Sequence, residues 1–439
     1  MKKYIKLAVP VVLALAAIYA CNKLSAPEIT AVSGDNPMYV SIDEAESMLL
    51  EIMDRMDAIG TKSDGGSVRR TISGRYSKIF SDATKSGDEV PVVHVFNFED
   101  ESGFAIMSAD RRVAPMLAFA FKGCLEAGDP IDNPGLAIYM SKLNNYISRL
   151  TFDTLSSDQV IDQDDLIYGD VYVTEMVSGY CPVKWNQSYP YNYLCPVDSA
   201  LGLKCLTGCT ATAVAQLMAC YKYPESYNGY TFDWDSMIEA SNAYELPVAP
   251  PVEDPEDPIN IGDNDSTKPP ISAGSIMYEP EPDSAIFQVA RLMQQLGLPE
   301  NLNNFYTPYA TYASSSAVGT TLKNFGFSES EIIDFIELLN ELRSGYYCFV
   351  HAEGYEGDDL VGSHCWLLHG LMTVKYYNVF NETYYFLCNF GWGGLADGYY
   401  LAEVFNMDEG PVFPDVKSSE EGSYYKPTIY QGRIRKLNN

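Results

Sequence analysis

The stretch from Thr207 to Met218, TGCTATAVAQLM, holds one group able to carry charge, the thiol of Cys209. Gly208 precedes it and small helix formers follow, which predicts a buried helix over 209–222 that stops before Pro224. A helix N-terminus presents unpaired N–H groups and a partial positive charge. A thiolate placed there is stabilised, and that is how a cysteine becomes a nucleophile. The plainer alternative is a buried cysteine serving as a small hydrophobe.

Such a nucleophile needs a base, and the chain has four histidines: His94, His351, His364 and His369. His94 falls in an N-terminal strand. His364 and His369 lie five apart in SHCWLLHGL. On a regular strand that odd separation sends them to opposite faces. His364 follows Gly362 and Ser363 at the strand's opening, where a side chain can reach a cleft, so it is the expected base. His369, just before Gly370, reads as a structural histidine, and His351 is held in reserve. Asn389, in FLCNFGWGG, can accept from the imidazole N–H through its amide oxygen. Trp392 can shield that bond from water. The Cys209 backbone N–H and the side-chain amide of Gln187, in WNQSYP, can hold an oxyanion. The set fits acyl transfer from a peptide or amide bond, with no metal or organic cofactor implied.

Several elements must position these groups. SIDEAESMLLEIMDRM (41–56) has apolar residues at helical spacing, with Ser41 as N-cap and Glu44 three residues on. KSDGGSVRR reads as a loop. PVVHVFNFED, the turn ESG and FAIMSADRR predict strands over 91–121, and LAIYMSKLNNYISRL (136–150) predicts a helix. Residues 37–150 therefore form a small α+β unit. The acidic SSDQVIDQDD (156–165) reads as a linker. After the Cys209 helix, residues 245–283 are rich in Pro, Asp and Glu and predict an exposed acidic loop. Helices are expected at 284–297 and from Ser330 to Arg343. From Tyr346 onward the chain is strand-like, in YYCFVHAEG, HCWLLHGLMTV, TYYFLCNF, GYYLAEVF and TIYQGRIRKL.

At 439 residues and 46% hydrophobic content the chain is long and apolar enough for two or three folded domains. Its net charge of −30 argues against nucleic acid or anionic headgroups as the main partner. Lys2, Lys3 and Lys6 precede the apolar run LAVPVVLALAAIYA, the pattern of a secretory signal. The closing IYAC resembles a bacterial lipobox, with Cys21 as the lipidated residue, so the expected location is a membrane-anchored lipoprotein on the periplasmic or cell-surface face. Residues 22–36 read as a tether. Ten cysteines are too few for a disulfide scaffold, and no CxxC pair suggests zinc. Cys181, Cys195 and Cys205 lie where bridges can form, with the pairing open.

Gln187, Cys209, His364 and Asn389 stand in the chain order of papain-like thiol proteases. The sequence resembles the streptopain family of cysteine peptidases. WNQSYPYNYLCP resembles its oxyanion-hole segment, GCTATAVAQLMACYKYP its nucleophile helix, GSHCWLLHG its base segment and NFGWGGLADGYY the segment that follows. GFAIMSADRRVAPMLAFAFKG resembles its pro-domain core. Three positions depart: Phe390 stands where the family usually has a second tryptophan, Ser363 and Cys365 flank the base, and His369 replaces an Asp.

The resemblance implies an α+β chain. Its catalytic domain over 171–439 would have a helical half and an antiparallel sheet half. An inhibitory pro-domain with its linker would span 37–170. It implies a zymogen that cleaves protein or peptide substrates, with a hydrophobic residue preferred just before the residue at the cut. Two other readings fit parts of the pattern. One is a Cys/His amidase acting on cell-wall peptides. The other is an inactive surface-binding lipoprotein on the same scaffold.

Overall fold

The computed structural model describes residues 39–60, 70–78, 93–152, 171–244, 280–356, 359–376, 382–405 and 428–436. The signal, Cys21, the tether, the KSDGGSVRR loop, the 156–165 linker and nearly all of the acidic loop lie outside them.

Helix α1 (Ile42–Gly60) begins as expected, with Glu44 N–H donating to Ser41 Oγ at 3.2 Å. Strands β1 (Ile72–Lys78), β2 (Val93–Phe98), β3 (Phe104–Ser108) and β4 (Met116–Ala120) follow. Helix α2 (Pro134–Phe152) is capped by Asn133, whose Oδ1 accepts from the N–H groups of Gly135 and Leu136. Then come β5 (Val171–Ser178), α3 (Cys209–Tyr221), the short strands β6 (Ser226–Tyr227) and β7 (Tyr230–Thr231), and α4 (Trp234–Ala243). Asp233 caps α4, and Asp283 caps α5 (Ser284–Leu296). The last elements are α6 (Val318–Asn324), β8 (Phe327–Ile333), α7 (Phe335–Arg343), β9 (Cys348–Glu356), β10 (Asp359–Tyr376), β11 (Thr383–Asn389), β12 (Gly398–Leu401) and β13 (Ile429–Lys436).

The helix expected from Ser330 starts later, at Phe335. Asp334 and Glu337 form a capping box there, which fixes the N-terminus. Residues 327–333 are a strand instead, burying Phe327, Ser330 and Ile333. Four elements were not anticipated: β1, β5, α4 and α6. Part of the polar stretch ahead of Cys181 is also ordered, since β5 pairs with β10.

The chain divides into two compact units. The first takes residues 1–180 and 331–434. Its antiparallel sheet runs in the order β1-β2-β3-β4-β12-β11-β10-β9-β13-β8, with β5 also on β10. Strand β10 is 18 residues long and organises this sheet. One edge pairs with β11; the other takes β9 along its first half and β5 along its second. Strand β4 joins the N-terminal strands to β12 through Gly398↔Ala120, Tyr399↔Phe119 and Tyr400↔Ala118. A Cβ on Gly398 would run into the Phe119 carbonyl, so this pairing needs glycine for its close approach. Helix α2 packs on β9 and β10, and one continuous apolar core lies beneath it, including Tyr139, Tyr146, Trp366, Phe386 and Tyr400.

The second unit, residues 181–330 and 435–439, is mainly helical. Helix α3 is buried from Thr210 to Ala219, as its lack of a polar face predicts, and packs on α5. Helix α4 also packs on α5. The α+β class read from the sequence therefore holds, with one helical and one antiparallel-sheet unit. Among the described residues, no helix is long and apolar enough to cross a membrane.

Candidate active site

In the helical unit, Cys209 is the first residue of α3, half-buried, with its sulfur present as a thiol. Gly208, at the N-cap, has φ 89°, in the left-handed region that favours glycine. A Cβ there would also lie 3.0 Å from the Thr311 carbonyl oxygen. No side chain caps α3 at this end, and the positive end of its dipole lies at the thiol.

The turn leading to Cys209 is held from several directions. Thr207 N–H donates to the Gln187 carbonyl at 3.0 Å. The Thr207 and Thr212 hydroxyls meet at 2.9 Å. Asn304 Nδ2 donates to the Thr207 carbonyl at 3.0 Å, and Thr311 Oγ1 donates to the Leu206 carbonyl at 2.8 Å. Gln187 is itself buried, and its backbone is fastened two residues ahead of Cys209. The fold thus brings these two expected residues to one place.

In the sheet unit, His364 sits on β10 opposite Ala352 and is buried. Its Nε2–H donates to the Phe390 carbonyl at 2.8 Å. The expected acceptor was the amide of Asn389, the preceding residue. Asn389, buried at the end of β11, uses that amide oxygen to accept Gly391 N–H at 3.0 Å and so shapes the glycine-rich turn. The Phe390 peptide is fixed in turn by its N–H donating to Asp397 Oδ1 at 2.9 Å. The ring stacked on His364 belongs to Trp366, with centroids 6.2 Å apart and planes 19° apart. Trp392 is half-buried in the turn, its carbonyl accepting Leu395 N–H.

Sequence reasoning missed Trp366, Asp397 and the Phe390 carbonyl. Trp366 had a signal: it stands two residues from His364, hence on the same face of a strand. Asp397, in the LADG turn, offered only a carboxylate next to a glycine.

The other histidines have separate places. His369 lies in a bulge between Leu368 and Gly370, where β9 ends and β5 begins. The strand is therefore not regular across the two histidines, and face parity does not separate them. Hydrogen bonds do. His369 Nδ1–H donates to the Gly179 carbonyl at 2.8 Å, and the His369 carbonyl accepts Gly179 N–H. Burial pulls this imidazole down to about 4, only partly offset by the Gly179 bond. His351 lies within β9, opposite Cys365, with Nε2 2.9 Å from Ser363 Oγ. His94, on β2, donates from Nε2 to the Val40 carbonyl, and burial lowers its pKa.

Comparisons with known proteins agree with this arrangement. Residues 185–400 match the family model described as the Peptidase C10 family, and residues 62–147 match the one described as Spi protease inhibitor. Streptopain from Streptococcus pyogenes is 24% identical over 342 residues, covering 72% of this chain and 74% of that protein. The thiol protease/hemagglutinin PrtT of Porphyromonas gingivalis is 29% identical over 161 residues, 36% of this chain and 18% of that protein. A solved fragment of Prevotella intermedia prointerpain A, a cysteine-to-alanine mutant, shares the fold: TM-score 0.50 at 18% identity, covering 83% of this chain and 100% of that one. The chain belongs to the Peptidase C10, or streptopain, family of cysteine peptidases and carries an inhibitor segment ahead of its peptidase region.

Proposed function

We propose that this cysteine peptidase is an exported, lipid-anchored endopeptidase made as a zymogen, with Cys209 as nucleophile and His364 as general base and acid. The observation that carries the reading is Cys209 at the uncapped start of a buried helix, on a turn tied to the Gln187 backbone. His364 keeps its proton on Nε2, so the neutral ring has Nδ1 to take a proton from the thiol. The thiolate attacks the peptide carbonyl. The Cys209 N–H and the Gln187 amide hold the oxyanion. His364 protonates the leaving amine, then activates the water that cleaves the thioester. Asn389 and the aromatic groups around it, Trp392 included, fix and shield the imidazole.

Residues 37–170 act as the inhibitor and 171–439 as the peptidase. The pairing of β4 with β12 and the packing of α2 on β9 and β10 support latency in the uncut chain. Export and anchoring rest on the N-terminal lysines, the apolar run and Cys21.

The test is mass analysis of the matured protein after labelling with an epoxide thiol inhibitor. The label is expected on Cys209, and Cys209→Ala is expected to abolish both hydrolysis and self-cleavage. A purified Cys209→Ala chain that still matures by itself would overturn the assignment.

A further inference from the structure

Cys181 and Cys220 are not used by the mechanism, yet their thiols share a hydrogen bond. They come together through the way residues 181–187 run against α3. Trp185 N–H donates to Gln216 Oε1 at 3.0 Å, and Asn242 Nδ2 donates to the Pro182 carbonyl at 2.9 Å. Gln216 and Cys220 are four apart on α3 and so share a face. Cys181 is four residues before Trp185, on a segment running antiparallel to the helix, and its thiol donates to the Val183 carbonyl at 3.4 Å. Both cysteines are half-buried, so a small oxidant can reach them.

We propose that Cys181 and Cys220 form a disulfide that staples the front of the peptidase region to its nucleophile helix. The bridge would close a 40-residue loop, from 181 to 220, that contains both Gln187 and Cys209. The oxidant is an external disulfide, such as oxidised glutathione or an oxidised thiol oxidoreductase. The Cys181 thiolate attacks it, forms a mixed disulfide and releases one thiolate. Cys220 then attacks the Cys181 sulfur and releases the second. Two thiols are oxidised, one disulfide is reduced to two thiols, and the two protons pass to the released thiolates. Burial and the bond to Cys181 hold the Cys220 thiol well above its usual range, which suits Cys181 to the first attack and Cys220 to the second.

The consequence is stability where catalysis needs precision. Cross-linking a loop of this size restricts the unfolded chain more than the folded one. The inference draws on the proposed export only for its oxidant, and the test supplies that oxidant, so its failure would leave the proteolytic reading untouched.

Full-length Cys209→Ala chain is incubated with oxidised glutathione, denatured without reductant, alkylated and mapped. A linked Cys181–Cys220 peptide pair, two hydrogens lighter than the reduced pair, is expected. Adding reductant should release it and lower the melting temperature by roughly 5–10 °C. The double variant Cys181→Ser/Cys220→Ser should melt at the reduced value whether oxidised or not. Alkylation of both cysteines without reductant, or Cys181 linked to Cys195 or Cys205, overturns the proposal.

Discussion

Two histidines on one strand differ because of where their ring protons go. His364 donates to Phe390, beside Trp366, while His369 is plugged into the bulge that joins β9 and β5 against β10. A group whose folded pKa lies below its unfolded one gives stability that is full above the unfolded pKa and is lost as pH falls toward the folded one. For His369 that window runs from the ordinary 6.5 down to about 4. Its protonation can withdraw at most about 3 kcal/mol. His369→Gln, which keeps a neutral donor, should flatten the acid limb of a melting-temperature profile across this window. It should also keep most neutral-pH hydrolysis, whereas His364→Ala should lose it. An unchanged acid limb would mean that another group sets acid sensitivity. Residue types and chain order made Gln187, Cys209, His364 and Asn389 readable. The Phe390 carbonyl was not, because every residue carries one and only the fold selects which faces the imidazole.

At the scale of elements, strong local patterns were legible and weak ones were not. Helix α1 carries its cap in Ser41, and α3 has no polar face, so both were readable. Strand β8 was taken for helix because Ser330 and Glu331 are tolerated in either state, and the deciding signal was Asp334 with Glu337. Strand β5 has few apolar residues and owes its order to β10, a partner far along the chain. Long-range contacts also decide how the inhibitor segment is held. Gly135, in the first turn of α2, lies against the Phe390 ring, which a Cβ would overlap. Asn133 Nδ2 also donates to the Leu395 carbonyl at 2.7 Å. A Gly135→Val substitution forces these surfaces apart at a cost of about 1–3 kcal/mol. It should speed maturation of the full-length chain by roughly tenfold or more, measured as the time to half-conversion on a gel. The matured enzyme should keep its hydrolysis rate, because residue 135 lies in the part removed. Unaltered maturation kinetics would show that the α2 contact with Phe390 does not hold the latent state.

For the whole molecule, sequence and structure divide the chain differently. Composition separates an N-terminal α+β unit from a peptidase region near residue 170. Spatially, the N-terminal strands and the late strands β9–β12 share one sheet, because β4 continues it through β12. No local pattern announces that pairing, since it needs only a free strand edge and a glycine at 398. The shared sheet constrains activation. A protease must draw several residues out of structure to cut them, and β5 is paired residue by residue with β10 from Val171 to Ser178. Cleavage inside β5 would first break that ladder, and Gly179 just beyond is tied to His369 by two hydrogen bonds. The cut should therefore fall between the end of α2 at Phe152 and the start of β5 at Val171. The matured chain should keep β5 as its first strand. N-terminal sequencing or intact mass of the matured protein measures this directly. A mature N-terminus beyond Ser178 would mean that β5 leaves with the inhibitor and that β10 is exposed along half its length on activation.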